Sequence, residues 1–292
     1  MELLRRAINR EPRKILYEKF IASVIYHDLF NYPMTSEELI KWIAGRKIIN
    51  LRTNSTNVIF NNGLYFLQGR DENVLRRRLN ENSSGKKFLL ARKSALILGL
   101  IPAVRMVAVT GSLSMNNART ESDIDLMIIT RKGTLWTTRL IAYFILLLAK
   151  IKVRKAKKKS DEKDRLCLNI WMDESNLKLS EPSRNIYTAH ELAQTRPIIS
   201  KDFMYEKLIS ANRWITDYWP NAVKISHQPS AISHQKKFIL SYIPQVIESF
   251  ARILQIWYMR KKITREIITP TRAFFHPFDW GELILNKLKT TS

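Results

Sequence analysis

Two aspartates, Asp123 and Asp125, stand two positions apart at the start of an apolar run, DLMIIT. Because side chains alternate across a β-strand, a strand here directs both carboxylates to one face and turns Ile124 and Leu126 towards the core. Neighbouring carboxylates repel each other unless a cation lies between them. Mg²⁺ prefers oxygen ligands and usually binds one or two carboxylates together with substrate phosphates. The pair therefore predicts a site for a divalent cation.

A Gly-Ser turn precedes this pair. Gly111 and Ser112 follow the apolar, β-branched run VAVT, which predicts a first strand that ends at the turn. Glycine allows the backbone to approach a ligand closely, and the Ser112 hydroxyl with the following N–H groups can hold phosphate oxygens. The stretch from Val107 to Thr130 thus reads as strand, turn, short irregular or helical segment, and second strand.

In this combination, Gly-Ser followed after ten residues by Asp-Ile-Asp-Leu, the chain resembles the polymerase-beta-like nucleotidyltransferases. The resemblance implies that Gly111 and Ser112 hold a nucleoside triphosphate and that Asp123 and Asp125 bind Mg²⁺. It implies an enzyme that transfers a nucleoside monophosphate from this triphosphate to an acceptor hydroxyl. Arg119, between the turn and the acids, is a candidate for neutralising phosphate charge and equally an ordinary exposed residue. The sequence does not indicate the acceptor.

The same resemblance implies a third carboxylate on a later strand, LCLNIWM, which ends at Asp173. Simple alternation places Cys167, Asn169, Trp171 and Asp173 on one face of it. Asn169 stands where the acid is expected, so Asp173, at the strand end, is the candidate for the third catalytic carboxylate; the alternative is that it caps the following turn. Asn169 also leaves open a different class of protein, namely a non-catalytic member of the fold that binds nucleic acid or a protein partner.

The chain as a whole predicts an α+β fold. We expect a small mixed-sheet nucleotidyltransferase core over residues 101–180, an N-terminal winged-helix-like basic domain over residues 1–100, and a helical C-terminal region over residues 181–292. The N-terminal prediction rests on a helical stripe over residues 13–30, a capping box from Thr35 to Glu38, and the hairpin signal Asn61-Asn62-Gly63. Residues 48–57 form a poorly periodic candidate for a recognition helix.

Further helices are expected along the rest of the chain. One long basic helix, or two, should occupy residues 71–100, and an apolar helix should follow the core motif over residues 134–152. C-terminal helices are expected at residues 186–195, where Pro197 would end the helix, at 205–219 and at 238–262. His190 and Glu191 lie side by side on the first of these helices. They could form a functional pair, but a histidine with an ordinary structural role in a helix is the more frequent case.

The charge of the chain limits its partners. With 49 basic and 26 acidic residues the net charge is +23, which favours nucleic acid, nucleotides or an anionic membrane surface. Nine Lys or Arg lie between Lys150 and Arg165, and such a run is usually a solvated loop. A peripheral membrane protein that uses aromatics such as Trp214 and Trp219 is the weakest alternative, because no helix here reads as clearly amphipathic with a basic face.

The cellular compartment is predicted from two features. Cys167 is the only cysteine, which excludes an intrachain disulfide and favours a reducing cytoplasm. The N-terminus has no apolar segment typical of a secretory signal, and no apolar stretch is long enough to cross a bilayer. We therefore expect a cytoplasmic protein without a transmembrane segment.

Overall fold

A six-stranded mixed sheet organises the computed structural model, which describes residues 13–48, 57–154, 163–224, 245–260, 266–275 and 280–291. The strand order is β6-β3-β4-β5-β8-β7. Strands β4 and β5 are parallel, and the other neighbouring pairs are antiparallel. The strands are β3 (Val104–Val109), β4 (Ile124–Thr130), β5 (Leu166–Asp173), β6 (Arg196–Ser200), β7 (Ile267–Ile268) and β8 (Arg272–Phe274). This sheet confirms the predicted mixed-sheet core.

The sheet separates two hydrophobic cores, and helices cover both of its faces. Strand β4 contributes Ile124, Leu126 and Ile128 to one core and Met127 and Ile129 to the other. The helices of the described residues are α1 (Arg13–Asp28), α2 (Ser36–Lys41), α3 (Glu72–Gly99), α4 (Gly111–Ser114), α5 (Leu135–Leu148), α6 (Ile186–Ala193), α7 (Met204–Ala211), α8 (Gln245–Met259) and α9 (Trp280–Thr291). Helices α3, α5 and α8 pack on the Ile124 face, whereas α1, α2, α6, α7 and α9 pack on the Met127 face.

The N-terminal segment contains several of the predicted local features. Thr35 and Glu38 form the predicted capping box, which starts α2. Strands β1 (Val58–Asn61) and β2 (Leu64–Leu67) form the hairpin, with positive φ at its two turn residues, Asn62 and Gly63. Most of the candidate recognition helix lies in residues 49–56, outside the described residues. The winged-helix prediction is therefore not confirmed.

Helix α3 is one continuous helix, and two of its basic residues are structural. The Arg77 guanidinium is buried, where it donates to the Glu38 carboxylate at 2.7 Å and to the Pro33 carbonyl. The Lys87 ammonium donates to the Asp164 carboxylate at 2.6 Å and to the Ser122 carbonyl at 2.7 Å. Part of the positive charge of this helix therefore joins the N-terminal segment and the loop before β4 to the rest of the fold.

The C-terminal region is not purely helical. Strand β6 pairs with β3, and β7 and β8 extend the opposite edge of the sheet. Pro197 was expected to end a helix, but α6 already stops at Ala193 and Pro197 lies within β6. An edge strand tolerates proline because one side of its backbone needs no ladder hydrogen bond. The domain boundaries at residues 100 and 180 remain a prediction.

A β-bulge in β5 changes which of its side chains share a face. Asp125 pairs with Cys167 but Met127 pairs with Ile170, so β5 contains one extra residue over this interval. Simple alternation placed Trp171 with Cys167 and Asn169. Beyond the bulge, however, Trp171 packs in the same core as Leu166 and Leu168, while Met172 belongs to the core on the Met127 face.

Among the described helices, none combines the length and the apolar character that crossing a bilayer requires. Trp219 is fully buried, and Trp214 packs partly buried against the same core. These two aromatic residues are therefore part of the protein interior.

Candidate active site

The two predicted acids lie together at the start of β4. Oxygen atoms of Asp123 and Asp125 and the sulfur of Cys167 all lie within 4.8 Å of one another. Ile124, between the two acids, is fully buried in the core on the other face of the sheet. The period-two pattern of the strand thus brings both carboxylates to one partly exposed position.

The Gly-Ser turn lies directly against this pair. Gly111 has a φ of +60°, a conformation that L-residues rarely adopt, and a Cβ atom at this position would lie 2.7 Å from Asp125 Oδ2. The backbone N–H of Thr110 donates to the Asp125 carbonyl at 3.1 Å. Both the backbone conformation and the close approach therefore require glycine at position 111.

The other predicted nucleotide-binding residues are exposed near the turn. Ser112 is the second residue of α4, and Arg119 lies in the loop that leads from α4 to β4. Helix α3 holds this loop, since the Ser84 hydroxyl accepts from the Ala118 N–H at 3.0 Å and Lys87 donates to the Ser122 carbonyl at 2.7 Å. The loop is thus fixed at both ends, and the roles of Ser112 and Arg119 in binding remain predictions.

Asp173, the predicted third carboxylate, lies away from the site. It pairs with Thr130 at the far end of β4 and β5, about 20 Å along the strand from Cys167. Its carboxylate is buried and accepts from the Gly133 N–H at 2.6 Å and from the N–H and hydroxyl of Ser175 at 2.8 and 2.6 Å. The structure therefore does not bring Asp173 together with Asp123 and Asp125, and the alternative reading as a cap of the following turn describes its contacts.

Arg154 is a site residue that the sequence reading missed. Its guanidinium donates to Asp123 Oδ2 at 2.7 Å and approaches the Cys167 sulfur at 3.9 Å. Arg154 belongs to the basic run that was interpreted as a solvated loop, and nothing in the run distinguishes it from its neighbours. In the structure it places a positive charge on the acid pair.

Two polar side chains of β5 complete this side of the site. The Asn169 amide donates to Asp125 Oδ1 at 2.8 Å, so an uncharged donor stands where the superfamily resemblance implies an acid. The Cys167 thiol also contacts Asp125, and burial together with the two aspartates raises the pKa of this thiol. Without a bound cation, these surroundings favour the thiol form of Cys167.

The acid pair is electrostatically strained. Burial raises the pKa of Asp125 well above its ordinary value, and the neighbouring Asp123 raises it further. The contacts with Cys167, Arg154 and Asn169 offset only part of this effect. A cation that binds beside such a carboxylate stabilises its charged form.

Glu191, on α6, is a further acid at this site. Its carboxylate accepts at 2.5 Å from the Gln194 side-chain amide. Burial, and then the charge of Asp125, raise the pKa of Glu191 to about 8. Its neighbour His190 has a different environment, since it is buried among aromatic rings with its Nε2 atom 3.2 Å from that of His27.

The donor set fits a divalent cation. Asp123 and Asp125 offer neighbouring carboxylate oxygens, and Arg154 shows that a positive charge is stable beside them. The side-chain oxygen of Asn169 is buried and accepts no hydrogen bond within the described part of the chain, which leaves a further oxygen at the site. Oxygen-rich sets of this kind suit Mg²⁺ and similar hard cations.

The comparisons with known proteins agree with this geometry. Residues 92–178 match the family model described as a nucleotidyltransferase domain. The comparisons with curated proteins and with solved structures gave no match. The matched segment runs from the last turns of α3 past the end of β5 and contains the Gly-Ser turn and both aspartates. Residues 92–178 are therefore similar to a nucleotidyltransferase domain, consistent with the polymerase-beta-like superfamily that the Gly-Ser and Asp-Ile-Asp-Leu motifs resemble.

Proposed function

We propose that the protein transfers a nucleoside monophosphate from a nucleoside triphosphate to an acceptor hydroxyl, with Mg²⁺ as its cofactor. The observation that carries this proposal is the contact between the Gly-Ser turn and the acid pair, with Gly111 packed directly against Asp125. A triphosphate bound at the turn would lie beside the cation that the acids hold.

The residues of the site have separate roles in this proposal. Asp123 and Asp125 hold the cation, with Asn169 Oδ1 beside them. When bound, the cation supplies Lewis-acid stabilisation of the charge that develops on the α-phosphate. The Ser112 hydroxyl holds the triphosphate, and Arg119 remains a candidate for neutralising its charge. The chemical nature of the acceptor stays open.

Arg154 has a role that depends on whether a cation is bound. Its guanidinium neutralises Asp123 in the free protein. A divalent cation held by the same carboxylate would compensate its charge in place of Arg154, whose planar guanidinium has a shape that suits phosphate oxygens. Arg154 would thus pass from the acid pair to the substrate when the site fills.

The test is a transfer assay with α-labelled nucleoside triphosphates, Mg²⁺ and cell extract as the source of acceptor. We expect the wild type to transfer label, and Asp123→Asn and Asp125→Asn to lose at least about 100-fold of this activity, because each removes a charge that holds the cation. Asp71→Asn is the matched control, since Asp71 is exposed and its side chain makes no capping bond to α3. Wild-type transfer by either active-site variant would disprove the metal role.

A second candidate function is a non-catalytic protein that binds nucleic acid or a protein partner. Asn169 favours it, because an amide occupies the place of the acid that the superfamily resemblance implies. Nucleotide binding that depends on Mg²⁺, measured without any acceptor, separates the two. Binding by the wild type without transfer to any component of the extract would favour the non-catalytic function.

A further inference from the structure

The outward side of helix α8 is apolar. Its large apolar residues recur at spacings of three and four, which places them on one side of the helix. They are Val246, Ile247, Phe250, Ile253, Leu254, Trp257 and Tyr258. Each keeps between 43% and 78% of its surface exposed. In an ordinary surface helix a stripe of this kind faces the core.

The inward side of α8 is held by polar contacts instead. The Glu248 carboxylate accepts from the backbone N–H groups of Trp136 and Thr137, at 2.6 and 2.9 Å, where α5 begins. The buried Gln255 side chain donates to the Trp136 carbonyl at 2.8 Å and accepts from the Arg139 guanidinium at 2.5 Å. These bonds fix how α8 is rotated about its own axis. The apolar stripe therefore faces outwards because of specific contacts on the opposite side.

Helix α5, against which α8 packs, adds a second exposed stripe. Its members are Leu140, Ile141, Phe144, Leu147 and Leu148. Both helices pack in the core on the Ile124 face, so their outward sides lie on the same side of the sheet. We call these two stripes together the apolar surface. Exposed apolar areas of this kind mark sites of contact with a partner or a membrane.

The ends of the two helices carry positive charge. Lys150 and Lys152 follow α5 and Arg260 follows α8, and all three are exposed. The Arg260 guanidinium lies over the Trp257 ring, 5.7 Å from its centroid. Helix α5 contains no acid, and the single acid of α8, Glu248, is bonded to the start of α5. The apolar surface thus has basic residues at its ends and no exposed acid of its own.

Helix α3 continues the pattern beside α5. Leu89, Leu96 and Leu100 are at least 51% exposed, and the exposed Arg92 and Lys93 lie between them. No acid occurs in residues 82–100. Long basic side chains can lie along apolar material while their charges stay in a polar boundary. The apolar and basic residues come from three helices, so no single helix shows this combination in its sequence.

We propose that the apolar surface, with the adjoining part of α3, docks the protein on an anionic lipid membrane as a peripheral contact. The apolar stripes would enter the boundary between headgroups and acyl chains, and the basic residues would meet the acidic headgroups. Trp257 and Tyr258 have the apolar rings with a polar tip that suit such a boundary. These residues are different from Trp214 and Trp219, which the sequence suggested for a membrane contact.

The composition of the apolar surface fits other partners less well. Two copies joined symmetrically would bring the same basic ends together, and α5 and α8 offer no exposed acid to pair with them. Nucleic acid would bind the basic residues, but eight of the twelve side chains of the apolar surface are aliphatic and provide no ring for base stacking. An anionic membrane accommodates both the aliphatic residues and the positive charge.

Flotation of the full chain with lipid vesicles tests the proposal. We expect the wild type to bind vesicles of equimolar phosphatidylcholine and phosphatidylglycerol. Its affinity for vesicles of phosphatidylcholine alone should be lower by at least about tenfold, because the basic residues then meet no acidic headgroup. Equal affinity for the two kinds of vesicle, or no binding to the mixed vesicles, would overturn the proposal.

Two double variants locate the contact. Phe250→Gln with Trp257→Gln removes two large apolar contacts, so the affinity for mixed vesicles should fall by at least about tenfold. Tyr17→Gln with Phe60→Gln, at similarly exposed positions of α1 and β1, is the matched control and should bind as the wild type does. Wild-type affinity of the Phe250 and Trp257 variant would overturn the proposal.

Further measurements on the same proteins identify the rival partners. Analytical ultracentrifugation without lipid detects a dimer. A dimer that the Phe250 and Trp257 variant loses, in a chain that does not bind vesicles, would assign the apolar surface to a second copy and overturn the proposal. RNA or DNA binding lost by the same variant, again without vesicle binding, would overturn it in favour of nucleic acid. Thermal melting checks the fold of both variants, and the wild-type comparison of the two kinds of vesicle stays decisive if either variant is unstable.

Discussion

Arg154 balances the charge of the acid pair, and replacing it tests this role at the level of one residue. Arg154→Gln removes the ion pair with Asp123, whose two atoms lie 2.7 Å apart. Because the pair is partly exposed, we expect the free protein to lose only about 1 kcal/mol of stability. Mg²⁺ should then stabilise the variant more than the wild type, since Arg154 no longer competes for Asp123. Melting temperatures with EDTA and with Mg²⁺ measure both effects.

The control for this experiment is Arg46→Gln. Arg46 forms an exposed ion pair with Asp217 at 2.8 Å, between the N-terminal segment and the turn after α7. Its loss should cost a similar or smaller amount of stability without changing the response to Mg²⁺. Identical Mg²⁺ responses of the two variants would show that Arg154 does not compete with the cation.

The pH dependence of stability follows from the strained carboxylates. A carboxyl group with a raised pKa in the folded state binds more protons there than in the unfolded chain, so stability falls as pH rises from the unfolded pKa to the folded one. For Glu191 this interval runs from the ordinary value of 4.5 to about 8. His27 and His190, whose pKa values burial lowers, act in the opposite direction below about pH 6.5.

We therefore predict a fall in the free energy of unfolding between pH 7 and pH 8, where the histidines contribute little. One raised carboxyl group accounts for about 1 kcal/mol over this interval. Denaturant unfolding in EDTA should show the fall in the wild type and a smaller one in Glu191→Gln. A wild type whose stability rises over the interval, or a variant with the same slope, would contradict the prediction.

The site residues that were recognised from the sequence are positioned by local geometry. Those that were missed are positioned by the pairing of strands that are distant in the chain. Asp123, Asp125 and Gly111 are recognisable because strand alternation and turn geometry act over a few positions. Arg154 and Glu191 reach the site only through the pairing of β5 with β4 and of β6 with β3. Short-range patterns carry no information about such contacts.

At the level of elements, the bulge in β5 explains why Asp173 does not share a face with Cys167 and Asn169. Alternation counted from Cys167 places Asp173 with the site residues, but the extra residue beyond Cys167 shifts the later side chains to the opposite face. Length matters as well, since each strand residue adds about 3.3 Å and separates Asp173 further from the acid pair. A residue-by-residue reading of this strand contains no signal for the bulge.

Asp173→Ala tests this reassignment. The variant removes an acceptor for the Gly133 N–H and for Ser175, where the chain turns after β4 and β5. Losing these hydrogen bonds, which join a buried carboxylate to donors on exposed residues, should cost about 1–2 kcal/mol of stability. Binding of Mn²⁺ at temperatures well below melting should stay at the wild-type level. A loss of Mn²⁺ affinity as large as that of Asp125→Asn would return Asp173 to the site.

The strands of the C-terminal region show a second limit of element prediction. Strand β6 is five residues long, contains a proline and lies at a sheet edge, so its sequence lacks the usual strand pattern. Strands β7 and β8 are shorter still. Their pairing with distant partners, and not local propensity, determines these strands.

At the scale of the whole molecule, the basic residues that give the net charge of +23 have more than one role. Arg77 and Lys87 of α3 are buried and form ion pairs that join parts of the fold. Arg154 neutralises the acid pair. These assignments remove several basic residues from any polyanion-binding surface, and the net charge alone does not identify such a surface.

The lysines that follow Arg154 provide the last test of what this charge does. Residues 155–162 lie outside the described residues, but Arg154 contacts Asp123 before them and Asp164 contacts Lys87 after them. Nucleic-acid binding through this run would release counterions and depend steeply on salt. No aromatic residue separates its lysines, however, so it lacks a surface for base stacking.

We predict that replacing Lys155, Lys157, Lys158 and Lys159 with Gln leaves RNA and DNA binding unchanged at near-physiological salt. Lys86→Gln with Lys93→Gln, at exposed positions of α3, is the control for a general loss of positive charge. Fluorescence anisotropy over a series of salt concentrations gives the slope of log affinity against log salt for each protein. If the run contacts phosphates, the slope of the quadruple variant flattens by several units because each neutralised phosphate contributes close to one unit. An unchanged slope assigns the run to solubility or to steering of the proposed nucleotide substrate.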